Sequence, residues 1–98
     1  MFGTIFRMRP RPGQEQALTQ MLERWQRERR PKVEGFVASY LLSSRTHPGE
    51  VVGVAVFDSE ASYKKNADDP QQDRWYRELR ALLEADPEWN DGEVRAIG

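Results

Sequence analysis

The run Val51-Val52-Gly53-Val54-Ala55-Val56-Phe57 constrains this chain more than any other stretch. It is continuous, apolar and rich in β-branched residues, and it is too short for a globular helix, so it predicts a strand. Side chains alternate along a strand. Val51, Gly53, Ala55 and Phe57 therefore share one face, and Val52, Val54 and Val56 share the other. Neither face is polar. A sheet backed by helices on one side only ordinarily turns polar residues to water on its other side. Here both sides ask for cover, and a chain of 98 residues supplies helices for one. The remaining cover is expected from a second copy of the chain, seated on Val52, Val54 and Val56.

The flanking segments follow strand and helix periods. Phe2 to Arg9 predicts a first strand with Phe2, Thr4, Phe6 and Met8 on one side. It stops at Pro10-Arg11-Pro12-Gly13, whose prolines lack ladder donors. From Gln14 to about Arg30, the residues Ala17, Leu18, Met21, Leu22 and Trp25 form one stripe of an amphipathic helix, closed by Pro31 and Gly35. Phe36 to Ser44 predicts a second strand with apolar residues on both faces, so its parity toward the helices stays open. Arg45 to Glu50 is turn-forming and joins it to the central run as a hairpin. His47, the only histidine, sits there with Glu50 as its one nearby partner and reads as an exposed turn residue.

Asp58 or Ser59 caps a short helix from about Glu60 to Ala67, which Asp68-Asp69-Pro70 interrupts. A longer helix follows from about Gln71 to Ala85, with Trp75, Tyr76, Leu79, Leu82 and Leu83 as its stripe. Asp86-Pro87 ends it, Asn90-Asp91-Gly92 predicts a turn, and Glu93 to Ile97 a last short strand. The whole reads as a single domain over residues 1–98.

No apolar run approaches the roughly 20 residues of a spanning helix, no apolar stretch follows a basic start, and there is no cysteine. These features point to a cytoplasmic protein with no membrane partner, and they exclude disulfides, thiolate metal sites and a cysteine nucleophile. The net charge of −1 is unevenly divided: residues 1–49 carry nine Lys/Arg against four Glu, and residues 50–98 six against twelve Asp/Glu. Arg24, Arg27, Arg29, Arg30 and Lys32 form a basic run of the kind that holds an anion or nucleic acid. Overall neutrality weakens long-range attraction to a polyanion, however, and two solvated helical faces of opposite sign explain the division more simply. Asp68, Asp69 and Asp73 lack the spacing of a calcium loop and read as helix-start residues favoured by the macrodipole. No metal is expected.

The element order β-α-β-β-α-β is the ferredoxin-like α+β plan with a four-stranded antiparallel sheet. RNA-recognition motifs share that plan and stack bases on aromatics of the third strand. Val52 and Val54 would occupy those stacking positions here, and Glu50 would stand where a basic residue belongs. Valine has no π-face and glutamate repels phosphate, so no nucleic-acid partner is expected.

Arg11-Pro12-Gly13 leads into the first helix, Glu34-Gly35-Phe36 opens the second strand, and Phe57-Asp58-Ser59-Glu60 closes the third. Ala61-Ser62-Tyr63 through Asp69-Pro70 then crosses the interrupted helix. In order and spacing these resemble the antibiotic biosynthesis monooxygenase-like group of dimeric α/β-barrel proteins, over the whole chain. The resemblance implies a homodimer through its sheet faces, which would cover Val52, Val54 and Val56. It also implies a cavity between sheet and helices for a small hydrophobic or aromatic ligand.

Gly53 and Ala55 are small and face the helices. They either leave room beneath Tyr63, Trp75 or Tyr76, or let a helix pack closely. Phe6, Arg7 and Arg74 are the further pocket candidates. Some members resemble cofactor-independent oxygenases of phenolic or quinol substrates, in which the substrate itself activates dioxygen while Trp, Asn and Tyr hold and deprotonate it. The resemblance carries that role to Asn66, Trp75 and Tyr76, sets Arg7 or Arg74 against a developing oxyanion, and implies no cofactor. By spacing alone, Trp75 and Tyr76 fit a core stripe and Asn66 a cap or turn. Haem-degrading members place Asn, Trp and His where this chain has Phe6, Asn66 and Tyr76. Tyrosine can ligate haem iron, but all three residues differ, so haem is not expected. Members that use a histidine fit poorly with His47 in the hairpin turn. The alternative to an enzyme is a non-catalytic dimer that binds a hydrophobic metabolite or fills its pocket with side chains.

Overall fold

The computed structural model describes residues 1–98. The valine-rich run is strand β3 (Val51–Phe57), which lies inside a four-stranded sheet of order β2-β3-β1-β4. Its partners are β1 (Phe2–Met8) and β2 (Phe36–Ser43), and β1 in turn pairs with β4 (Glu88–Glu93), every pairing antiparallel. The sheet is open, with β2 and β4 as its edges. One chain alone therefore makes no closed barrel.

Three helices complete the chain: α1 (Glu15–Glu28), α2 (Glu60–Ala67) and α3 (Pro70–Ala81). Arg30–Lys32 adds a single 3-10 turn after α1, where Pro31 denies the α-helix another donor. The Ser59 hydroxyl caps α2 by accepting from the Ser62 amide at 3.1 Å, and the Asp69 carboxylate caps α3 by accepting from the Gln71 amide at 2.8 Å. Pro70 at the start of α3 needs no amide there, so the chain breaks one helix and begins the next within three residues. No helix is long and apolar enough to cross a membrane.

The register assigns every strand residue to a face. Phe2, Thr4, Phe6 and Met8 stand opposite Phe57, Ala55, Gly53 and Val51 on the helix side. The parity of β2 is decided by an irregularity between Phe36 and Ala38. After it, Ser39, Leu41 and Ser43 join the helix side, and Ala38, Tyr40 and Leu42 join the other. The core proper is Met8, Leu18, Met21, Val51, Leu79 and Leu83, drawn from β1, α1, β3, α3 and the segment after it. Leu18 and Leu83 are completely enclosed, a burial that contributes about 1.5–3 kcal/mol for each side chain.

Two boundaries differ from expectation. The last strand is Glu88–Glu93, and Asn90-Asp91-Gly92 lies inside it rather than in a turn. An edge strand pairs on one side only and here stays exposed throughout, so it carries no apolar alternation to read. Trp89 is its one apolar anchor, with its ring 5.0 Å from that of Phe6. The last helix ends at Ala81 rather than near Ala85. Leu83 leaves it to bridge Pro10, and the Arg11 amide donates to the Leu82 carbonyl. Tertiary contact competes successfully with helical continuation there. Gly35 holds φ +78°, and a Cβ at that position would collide with the Ser62 side chain, so the turn into β2 requires glycine.

Candidate functional site

Between the sheet and the helices, bordered by Met21 and Leu79 of the core, lies a cavity of about 760 Å³. Thr4, Phe6, Ala55, Phe57 and Trp89 form its floor on the sheet. Trp25 and Gln26 reach it from α1, Tyr63 and Asn66 from α2, and Gln72, Trp75 and Tyr76 from α3. All three tryptophans of the chain line it. The aromatic rings brace one another, with centroids 5.3 Å apart for Trp25 and Phe36 and 5.5 Å for Phe57 and Tyr63. Such tilted and edge-on contacts hold the walls in shape.

Of the residues singled out by sequence, Asn66, Trp75, Tyr76, Phe6, Ala55 and Tyr63 line this one cavity. Gly53 does not. It faces the helices, but the Phe6 ring lies on it, and a Cβ there would stand 2.2 Å from Phe6 Cζ. The space its missing side chain leaves is taken by Phe6 rather than by a ligand. Arg7 lies on the opposite face of the sheet, paired with Val52 in register and 3.7 Å from Glu50. Arg74 is exposed on α3, outside the lining. Neither arginine reaches a group bound in the cavity, because strand alternation and helical phase point both away from it.

The basic run is dispersed by the fold. Arg24 stacks on Trp75, 4.9 Å from the ring centroid, and pairs with Glu78. Arg30 lies over Phe36. Arg29, only 7% exposed, turns inward. No patch of five free cations remains. His47 is exposed in its turn, and no group of three or more His, Cys, Asp or Glu converges to hold a metal.

The polar side of the cavity is organised by residues that periodicity did not single out. Arg29 Nη2 donates to Asn66 Oδ1 at 2.9 Å and to Asp69 Oδ2 at 3.0 Å. Gln72 Oε1 accepts from Trp25 Nε1 at 3.1 Å and, more weakly, from Arg29 Nε at 3.5 Å. The Gln71 amide, and after it Arg29, holds the Asp69 carboxyl below its ordinary range. A sequence signal for Arg29 did exist: it continues the stripe Leu18, Leu22, Trp25 at helical spacing, a place where a charge is unexpected. At the far end, the Tyr63 hydroxyl donates to Asp91 Oδ1 at 3.1 Å. Burial, and then the Asp91 carboxylate, push the Tyr63 phenol up to about 12, with Thr4 pulling slightly the other way. Tyr63 is therefore a fixed donor at neutral pH.

Residues 1–78 of the chain match one family profile, described as antibiotic biosynthesis monooxygenase. The chain belongs to the antibiotic biosynthesis monooxygenase family. Among solved structures, SnoaB, a cofactor-independent oxygenase from Streptomyces nogalater, is similar with a TM-score of 0.82 at 20% identity, covering 98% of this chain and 94% of that one. Rv0793 from Mycobacterium tuberculosis is similar with a TM-score of 0.79 at 20% identity, covering 98% and 96%. A conserved protein from Methanosarcina mazei Go1 is similar with a TM-score of 0.82 at 14% identity, covering 96% and 92%. At these identities the likeness is one of fold. No match was found among curated proteins.

Proposed function

We propose that this chain is a homodimeric, cofactor-independent monooxygenase acting on a phenolic or quinol substrate. The observation that carries the reading is the joint presence of Asn66, Trp75 and Tyr76 on the wall of one aromatic-lined cavity. A substrate of fused aromatic rings meets mostly apolar side chains there, with polar groups from several elements among them. The family membership and the fold shared with SnoaB support the same class.

The chemistry needs no outside reductant. An ionised phenol passes one electron to dioxygen, and the two radicals combine at the ring carbon para to the phenolic oxygen. The resulting hydroperoxide loses water to leave a quinone. Phenol and O₂ thus become quinone and water, with every electron supplied by the substrate. Asn66 and Tyr76 hold the substrate oxygen, and Trp75 holds the ring.

The dimer forms through the sheet face that the helices leave bare. Val52, Val54 and Val56 stand there with Ile5, Tyr40 and Leu42, and the last three are 47%, 70% and 58% exposed. Apolar side chains on one contiguous face of a sheet gain about 25 cal/mol for each Å² withdrawn from water.

The test is oxygen uptake with 1-naphthol in ¹⁸O₂. The expected product is 1,4-naphthoquinone carrying one labelled oxygen, formed faster than without protein and slowed in N66A and W75F. Uptake at the protein-free rate across one- to three-ring phenols and quinols would remove the oxygenase reading. A second reading, a non-catalytic binder of hydrophobic metabolites, draws on a specific observation. Burial and the Asp91 carboxylate push the Tyr63 phenol up to about 12, which keeps it a donor, and no protein group hydrogen-bonds the Tyr76 hydroxyl. Naphthol binding without oxygen uptake would favour that reading.

A further inference from the structure

Three side-chain amides line the cavity: Gln26, Asn66 and Gln72. Gln26 is used at both ends, its Nε2 donating to Ser39 Oγ at 2.5 Å and its Oε1 accepting from Arg30 at 3.2 Å. Asn66 and Gln72 are different. Each has its oxygen occupied by a protein donor and its nitrogen without a protein partner. The assignment of oxygen and nitrogen follows from chemistry. Arginine and tryptophan side chains carry only donors, so a flipped amide would set N–H against N–H.

Both amides trace back to one side chain. Arg29 comes from the end of α1 and is buried. It reaches Asn66 on α2, Asp69 at the helix break and Gln72 on α3. A buried guanidinium needs a counter-charge, which Asp69 supplies, and five donors, which leave it no means of accepting. Its position therefore fixes how Asn66 faces, while Gln72 is held chiefly by Trp25 and more weakly by Arg29.

We propose that Arg29 is a positioning residue that, with Trp25, holds Asn66 and Gln72 with their NH₂ groups toward the cavity, so that the site selects ligands presenting a hydrogen-bond acceptor, a carbonyl or phenolate oxygen. This rests on the cavity being the binding site and deepens that reading by naming the ligand's polar group. A ligand offering only a donor finds no acceptor on these amides. Their NH₂ groups also supply the kind of stabilisation a developing oxyanion needs.

The three cavity tryptophans allow a binding test by intrinsic fluorescence, free of turnover. The probes are 9-fluorenone and fluorene, which share a ring frame and differ by one carbonyl acceptor. Wild type is expected to bind the ketone about tenfold more tightly. N66D and Q72E keep an acceptor for Arg29 and lose the NH₂, and each is expected to lower that ratio about threefold. R29M releases Asn66 while Trp25 still holds Gln72, and it is expected to lower the ratio about threefold. R29K, which keeps the charge and has one nitrogen rather than a fork, is expected to fall between.

Fluorene binding reports an intact cavity in each variant, so a merely structural role for Arg29 would lower both affinities and leave the ratio standing. An unchanged ratio in R29M overturns the proposal. If R29M does not fold, an unchanged ratio in R29K overturns it, and so does a wild-type ratio of one. A chain that prefers the ketone but does not oxygenate naphthol loses the oxygenase and keeps this site. A chain that oxygenates naphthol without the preference does the reverse.

Discussion

The two faces of the sheet are both apolar, but they are finished differently. On the helix face, Val51 and Phe57 are buried within the chain, while Ala55 between them is small and borders the cavity. On the open face, Val52, Val54 and Val56 are half-covered by Ile5, Tyr40 and Leu42, which themselves stand in solvent. The first face is completed by helices that also leave a void. The second is a flush surface of the kind that a second sheet covers. One strand thus borders a pocket on one parity and, on the other, carries the surface proposed for the dimer, and a change on one parity should leave the other alone.

The largest expected effect breaks the open face. V54D buries a carboxylate in any sheet-to-sheet contact and is expected to raise the dimer dissociation constant by about a thousandfold or more, roughly 4 kcal/mol. Sedimentation of wild type should show dimers at micromolar protein and of V54D monomers, with fluorenone binding retained. A wild type that sediments as monomers at that concentration would leave the open face without its proposed occupant.

On the other parity, L83A removes a fully enclosed core side chain next to Met8 and Val51. It is expected to cost about 2–5 kcal/mol in urea unfolding, at unchanged subunit contact. A smaller effect sharpens the description of the cavity. Y63F deletes the hydrogen bond to Asp91 and is expected to cost about 1 kcal/mol. The folded Tyr63 phenol titrates near 12 against about 10 when unfolded, so the fold favours its protonated form. That stability is present below pH 10 and lost as pH rises toward 12, and Y63F should flatten this alkaline limb. The smallest change is at the acid end. Asp69 is depressed by the Gln71 amide and Arg29, so its contribution is present above the ordinary carboxylate range and fades as pH falls through the folded value. D69N should shrink that part of the acid limb in a pH series of melting curves.

Legibility in the sequence tracked how much of the physics was local. Strand β3 and the stripe Leu18, Met21, Leu22, Trp25 stood out because burial on a regular element repeats at the element's own period. The break at Asp68-Asp69-Pro70 was readable because proline and capping side chains act within a few residues. Strand β4 was misplaced because Glu88 to Glu93 is an exposed edge whose only apolar anchor is Trp89, and a polar edge looks like a loop. In the sequence Gly53 reads either as space for a ligand or as room for close helix packing, and Phe6 from the neighbouring strand fills that space. The charge of Arg7 and Arg74 suits an oxyanion partner, but the faces that carry them are set by the strand register and the helix packing.

By itself the sequence determined the element order, the apolar character of both sheet faces, the helix break and the family. All of these are written in spacing along one dimension. Only the tertiary structure decided that Arg29 leaves the basic run, enters the interior and meets the amide oxygens at 66 and 72. Those positions lie 37 and 43 residues from it along the chain. A hydrogen bond acts across about 3 Å of space. No periodicity reports which side chains the fold brings to that distance.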